Sequence, residues 1–565
     1  MVQLNSAPFF LGETDIDWIE KTLSSMSLEE KVGQLFCVNY REGTEEELDY
    51  TYKVLSPGAC MFRRMPYRKA IEFNQMLRKK SRIPQLVAAN LEKGGEGIVE
   101  EGTLFASPLE VAATDDAEMA GRLGIVCAEE AKAVGANWSF APIIDIDNNF
   151  RNPITNTRTY GSNPQRVKAM GVSYLKALQS RGLAATIKHF PGDGCDERDQ
   201  HLVTSINDLS CEEWDATYGE VYKACIDAGV LSCMVGQIMQ PAYSKKLNPE
   251  LKDEDIMPAS LSSELMNGLL REKLGFNGLI VTDATTMAGF MIPMPREKAV
   301  PYTIAAGADM FLFARNLEED YSFMLNGVKK GVITLERLDD AVRRILATKA
   351  ALGLHKSIKP ISEEAARNVI GCLRHKKWAS QCADKAITLV KEEAGVLPIS
   401  SSKYKRILYY PLEVEGGAGP YGVKGGKVQY LKEKLEQEGF IVDNFVPSKG
   451  MEGHTPTVAS ITENYDLILY AANISTKSNQ TTVRLEWAQP MGLNCPHYIT
   501  VIPTIFVSLE NPYHLLDVPR IKTFINTYSS DEIVLDQLVE KLMGRSDFVG
   551  RSPVDAFCGK WDTHL

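Results

Sequence analysis

Between residues 34 and 315 the chain alternates short, continuous apolar runs with longer stretches of helical periodicity. Eight runs have strand length: 34–38, 58–62, 86–90, 138–142, 185–190, 232–237, 279–283 and 310–315. Amphipathic segments at 68–79, 117–134, 164–181, 212–228, 262–274 and 297–307 separate most of them. Runs that are apolar at consecutive rather than alternate positions belong to strands covered on both faces, and their alternation with helices marks a parallel sheet. Eight such units predict a (β/α)8 TIM-like barrel. A doubly wound open sheet is the competing arrangement, and periodicity alone does not separate the two.

The segment ahead of the barrel is helical, and Ser27-Leu28-Glu29-Glu30 has the form of a capping box. A helix over 334–352 closes the first pattern at Gly353, and the polar stretch 354–378 reads as a linker. A second α/β pattern follows, with apolar runs at 386–390, 407–410, 440–442, 467–471, 504–509 and 523–526 and helical stretches at 430–438 and 531–543. The predicted organisation is α/β throughout: a barrel over 1–353 and a smaller α/β sandwich domain over 379–565. The glycine-rich segment Glu415-Gly416-Gly417-Ala418-Gly419-Pro420 follows a predicted strand, but its spacing matches no nucleotide-binding motif, so it reads as a loop.

Composition narrows the functional classes. The chain has 565 residues, 44% hydrophobic and 24% charged, with a formal net charge of −11. That balance is globular and argues against nucleic acid or an anionic membrane as the main partner. The eleven cysteines form no Cys-x-x-Cys pair, which points away from a zinc site or a disulfide framework. No metal and no cofactor is expected. Residues 1–6 carry no basic, apolar leader pattern, and no run reaches the roughly 18 apolar residues of a membrane span. The expected compartment is the cytoplasm.

Candidate chemistry concentrates in one stretch. Of eight histidines only His189 and His201 precede residue 355, and both lie in the strand-and-loop segment that also carries Lys188, Asp193, Asp196, Glu197 and Asp199. A connecting loop has no need of such an inventory. In extended backbone, residues two apart project to the same side, so Asp199 can hold the His201 ring in one tautomer for proton transfer. Set against this is a solvated polar loop, the usual meaning of an isolated Asp-x-His. The run 279–283 ends on Asp283, a candidate nucleophile at an acetal centre or equally a helix N-cap. Lys188 and His189 end the fifth run, as substrate grips or as structural partners of Asp145 or Asp147. In a barrel, residues that act on substrate sit at the C-terminal ends of strands, where all of these fall.

These residues fall into a pattern that resembles glycoside hydrolase family 3, in its β-N-acetylglucosaminidase (NagZ-like) branch. The motifs are Ile187-Lys188-His189-Phe190-Pro191-Gly192-x-Gly194, Asp199-x-His201 and Val281-Thr282-Asp283-Ala284, supported by Asp145-Ile146-Asp147, Arg158-Thr159-Tyr160-Gly161-Ser162 and Ala305-Ala306-Gly307-Ala308-Asp309. The resemblance covers residues 20–350 in order and implies a retaining, exo-acting β-N-acetylglucosaminidase (β-N-acetylhexosaminidase) acting on a carbohydrate substrate. It implies Asp283 as nucleophile, His201 as general acid/base, Asp199 as its dyad partner, and Arg158, Lys188 and His189 as residues that grip the sugar. Asn90 stands where relatives commonly carry a sugar-binding Asp, and an amide both donates and accepts where a carboxylate only accepts. Asp193, Gln200 and Gln237 replace a commonly seen His, Ser and His. Competing readings are a β-glycoside phosphorylase or β-glucosidase of the same family, a carbohydrate-binding protein without turnover, and a Schiff-base aldolase built on Lys188.

Overall fold

A computed structural model describes residues 2–356, 361–413, 425–446, 456–489 and 491–565. The glycine-rich segment 415–420 lies outside the described residues, as does part of the expected linker. The chain divides into two compact units. The first comprises Met1–Phe105, Ala120–Asn149 and Pro164–Lys376; the second comprises Ala106–Met119, Phe150–Asn163 and Lys377–Leu565. Among the described residues, no helix is long and apolar enough to cross a membrane.

Among the described residues, ten strands belong to the first unit: β1 (Phe36–Tyr40), β2 (Ala59–Phe62), β3 (Leu86–Ala89), β4 (Trp138–Ser139), β5 (Thr186–Phe190), β6 (Ser205–Ile206), β7 (Ser232–Val235), β8 (Ile238–Met239), β9 (Leu279–Thr282) and β10 (Phe311–Leu312). One parallel sheet runs β10-β1-β2-β3-β4 and another β5-β7-β9. Two seams join them. At the first, the Ser139 N–H donates to Ala184 O (2.8 Å) and the Ile144 N–H to Lys188 O (3.0 Å). At the second, the Thr282 N–H donates to Met310 O (3.0 Å) and the Met310 N–H to Ile280 O (3.1 Å). The ladder therefore closes into the eight-stranded parallel barrel that the sequence predicts, and the open-sheet alternative falls away. β2, β3, β5, β7 and β9 are buried along their whole length, as continuous apolar runs require.

Local departures have local causes. The capping box forms, with the Glu30 N–H donating to Ser27 Oγ (3.2 Å) and the Ser27 N–H to Glu30 Oε2 (3.0 Å). The helix it starts runs through Gln34, so the first strand begins at Phe36, two residues later than the apolar run. The regular part of the fourth strand stops at Ser139, although the Phe140 N–H still donates to Ala89 O (2.9 Å). The last barrel strand ends where Phe313 takes a left-handed backbone (φ 60°). β6 and β8 pair with each other in parallel beyond the main ladder, joining the loop after β5 to the loop after β7.

The second unit holds a six-stranded sheet: β11 (Thr388–Lys391), β12 (Arg406–Glu413), β13 (Ile441–Asn444), β14 (Leu467–Asn473), β15 (Thr504–Ser508) and β16 (Thr523–Asn526), in the order β11-β16-β15-β14-β12-β13. Among the described residues, only the β11–β16 pair of this sheet is antiparallel. In β14, Leu467, Leu469 and Ala471 face one apolar core, and Ile468, Tyr470 and Ala472 face the other. This period-two division places the sheet between two buried layers. The segments Ala106–Met119 and Phe150–Asn163 are contributed from between barrel strands in sequence, and Leu109 and Ala113 pack there with Ala386, Tyr513 and Tyr528.

Candidate active site

The C-terminal rim of the barrel carries Asn90 just past β3, Lys188 and His189 in β5, Asp199 and His201 in the following loop, and Asp283 just past β9. Arg158 is placed otherwise. It ends a short 3-10 turn, Asn156–Arg158, in the part of the chain that belongs to the second unit. That turn is anchored by Asn156 Nδ2, which donates to Asn511 Oδ1 (3.2 Å).

Lys188 and His189 are nearly buried, and the register of β5 against β7 shifts between Ile187 and Phe190. Each finds its own carboxylate. Lys188 Nζ lies 2.8 Å from Glu92 Oε1, and His189 Nδ1 lies 2.7 Å from Asp145 Oδ2. The structural partner expected for this pair is therefore Asp145 for His189 but Glu92 for Lys188. Asp145 Oδ1 also accepts the backbone N–H groups of His189 (3.0 Å) and Asp193 (2.8 Å). With Nδ1 engaged, His189 turns Nε2 toward Asp283, 3.8 Å from Oδ2.

His201 and Asp199 form the close pair that their spacing suggests. Asp199 Oδ1 lies 2.6 Å from His201 Nδ1 and accepts the His201 N–H at 2.8 Å. The Asp199 side chain is fully buried, while that of His201 is 20% exposed. Its Nδ1 edge is held, and the ring reaches solvent. The His201 carbonyl accepts the Ala288 N–H (3.0 Å), which ties this loop to the segment that follows Asp283.

Asp283 differs from the other carboxylates of the rim. Asp145, Asp193 and Asp199 each accept bonds from two or more donors. Asp283 Oδ1 accepts the Ala284 N–H (2.7 Å), but Oδ2 is buried without a hydrogen-bond partner among the described residues. Such an atom costs stability unless something else fills its lone pairs, and functional groups are where that cost is tolerated. The Asp283 N–H donates to Val235 O (2.8 Å), which fixes the carboxylate to the barrel wall. The loop behind it is clamped by Arg296, which donates to both Asp320 oxygens (2.7 and 2.6 Å) and to Thr285 O (2.8 Å).

The arrangement can present a rigid carboxylate oxygen to an electrophilic carbon and an oriented imidazole to a proton. Donors at Lys188 and His189 are available for hydroxyl groups. Asn90 is half-buried just past the end of β3. Two features were not readable from the motifs: the pairing of Lys188 with Glu92, and the bonding of Gln200 to Asp193 and Gln237. The usable signal was that Glu92 and Asp145 both stand just past an apolar run, where barrel strands end.

The chain is similar to known proteins along its whole length. A family model described as "Glycosyl hydrolase family 3 N terminal domain" matches residues 27–348. The chain is 50% identical over 565 residues, the full length of both proteins, to a "Beta-N-acetylglucosaminidase/beta-glucosidase" of Cellulomonas fimi. It superposes on the solved structure titled "Beta-glucoside phosphorylase BglX" with a TM-score of 0.93 at 46% identity, covering 99% of each chain. A family 3 β-N-acetylglucosaminidase from Paenibacillus sp. str. FPU-7 shares the fold, with a TM-score of 0.76 at 23% identity over 94% of this chain and 99% of that one.

Proposed function

This chain belongs to glycoside hydrolase family 3, and from that premise we propose that it is a retaining, exo-acting β-glycosidase. It removes a terminal β-linked N-acetylglucosamine or glucose unit through a covalent glycosyl-enzyme intermediate. The observation that carries the reading is Asp283 Oδ2, buried and without a hydrogen bond among the described residues, on a carboxylate otherwise fixed in place. In the first step Oδ2 attacks the anomeric carbon while His201 Nε2 gives its proton to the departing glycosidic oxygen. In the second, His201 removes a proton from the acceptor, which attacks the same carbon and releases Asp283. Asp199 keeps the His201 ring in the tautomer that leaves Nε2 free for both transfers. Asn90, Lys188 and His189 bind the sugar, and Arg158 enters the reading from the motif resemblance alone.

Phosphate as the acceptor is a second reading, and the histidine favours it. A carboxylate acid/base is anionic after it gives up its proton and repels a phosphate dianion, whereas an imidazole is then neutral. The 46%-identical structure titled a phosphorylase supports this reading. A cytoplasmic setting, where both phosphate and reducing conditions hold, is part of the proposal. It is supported by eleven cysteines that are all free thiols.

One experiment tests both readings. Aryl β-glycosides of GlcNAc, GalNAc, glucose, xylose and glucuronic acid are assayed with and without inorganic phosphate, and products are identified as free sugar or sugar 1-phosphate. The expected outcome is release from the GlcNAc or glucose substrates, lost in Asp283→Ala. Wild-type turnover in Asp283→Ala, or inversion at the anomeric carbon, would overturn the mechanism. Sugar binding without turnover on any substrate would point instead to a carbohydrate-binding protein.

A further inference from the structure

The loop that carries His201 has little apolar anchorage of its own, and Leu202 is 42% exposed. What holds it is a line of buried polar groups. Gln200 is fully buried, between the residues of the proposed dyad, and both ends of its amide are used. Nε2 donates to Asp193 Oδ2 (3.0 Å), and Oε1 accepts the Gln237 N–H (2.8 Å). Asp193 is fixed in turn, since its N–H donates to Asp145 Oδ1 and its Oδ1 accepts the Gly194 N–H (2.7 Å). On the far side, the Gln237 carbonyl accepts the Ser205 N–H (3.1 Å), at the point where β6 pairs with β8.

Asp193, Gln200 and Gln237 are three of the positions at which this sequence departs from the motif it resembles. In the structure the Asp193 and Gln200 side chains are bonded to each other, and Gln237 joins the line through its backbone N–H rather than its side chain. A serine at 200 is too short to reach both partners, so the Asp193 carboxylate would lose a donor and the Gln237 N–H an acceptor. Close packing reinforces the line. A methyl group at Gly236 would stand 2.9 Å from Gln200 Oε1, and one at Gly289 would stand 2.4 Å from Gln200 O.

We propose that Gln200 is a positioning residue that locks the His201 loop against the barrel rim, by bridging the end of β5 through Asp193 to the end of β7 through Gln237. The proposal rests on His201 being the acid/base. Proton transfer needs its donor within hydrogen-bond reach of the leaving oxygen, and small displacements lose much of the rate. A buried amide bonded at both ends supplies a fixed position where the loop's own packing does not.

The test separates positioning from general support of the fold. kcat/KM is measured for a β-glycoside with a strongly acidic leaving group (dinitrophenol) and for one with a weakly acidic leaving group (an alkyl alcohol). The first leaves without protonation and the second needs the acid. In Gln200→Ala and Gln200→Ser, the ratio of the two kcat/KM values is expected to shift at least tenfold against the alkyl glycoside. His201→Ala is expected to shift it further in the same direction. An equal loss on both substrates in the Gln200 variants, with His201→Ala still discriminating, would overturn the positioning role. Absence of discrimination in His201→Ala would instead overturn the acid/base assignment on which the proposal rests.

Discussion

Asp199 Oδ1 accepts two hydrogen bonds from one residue, the backbone N–H of His201 at 2.8 Å and the ring Nδ1 at 2.6 Å. The first sets where the loop places the imidazole, and the second sets which nitrogen faces outward. Replacement of Asp199 by Asn keeps the shape but removes the negative charge that stabilises the imidazolium and fixes the tautomer. Asp199→Asn is expected to lower kcat/KM by about 10²-fold or more, within the range assigned to a general acid/base. Steady-state kinetics on a weakly activated glycoside check this, and a loss below threefold would remove Asp199 from the dyad.

Asp283 Oδ2 accepts no hydrogen bond among the described residues, so an intermediate formed on it is expected to be trappable. A β-glycoside with fluorine at C2 and a good leaving group destabilises the positive charge that develops in both steps. It slows release more than formation. Incubation is expected to add one sugar mass to the peptide that contains Asp283, and to no other peptide. Label on a different carboxylate, found by mass spectrometry of the digest, would move the nucleophile.

Lys188 and Glu92 are expected to be energetically coupled. Their side chains are 4% and 15% exposed at a separation of 2.8 Å. Removal of one member of such a pair leaves the other charge poorly solvated, at a cost of about 3 kcal/mol. Glu92→Ala and Lys188→Ala are each expected to lower stability and kcat/KM. In the double variant the stability losses are expected to fall short of their sum by about 1 kcal/mol or more. Strict additivity in denaturant titrations would show that the pair does not interact.

Lys349 is expected to limit stability. It is fully buried, donates to Gln34 Oε1 (2.7 Å), and burial pushes its pKa down to about 7. The unfolded chain holds that proton up to about pH 10.4, so between the two values the unfolded state binds more protons and stability rises with pH. Below pH 7 both states are protonated and the folded state carries the full penalty. Lys349→Met removes the penalty but leaves Gln34 Oε1 without its donor, an opposing loss of about 1–3 kcal/mol. The net expectation is a gain of about 1–3 kcal/mol at pH 6 by urea denaturation. The gain should shrink as the pH is raised toward 9, and a difference that did not change with pH would refute the buried-lysine account.

The sequence by itself determined the elements and the list of reactive groups. Each barrel run is apolar at successive positions, a property of local composition, and its length together with the intervening helices dictates a parallel, doubly covered sheet. Asp199 with His201, and Lys188 with His189, were legible because each pair is at most two residues apart, where backbone geometry alone decides what faces what. Barrel closure was not local. It depends on Trp138–Ile144 meeting Ala184–Lys188, and on Thr282 meeting Met310. Nor did periodicity reveal that Leu109 and Phe150 pack with Ala386, Tyr513 and Tyr528 of the second unit, because an apolar residue carries no label for the core it joins. The partners of the active groups were likewise decided in three dimensions. Glu92 lies 96 residues from Lys188 and Asp145 lies 44 from His189, so no spacing rule connects them. Asp193, Gln200 and Gln237 read in the sequence as three unrelated departures from a motif. The fold bonds the Asp193 and Gln200 side chains and ties Gln200 to the backbone N–H of Gln237, because the ends of β5 and β7 lie side by side and a single glutamine is long enough to join them.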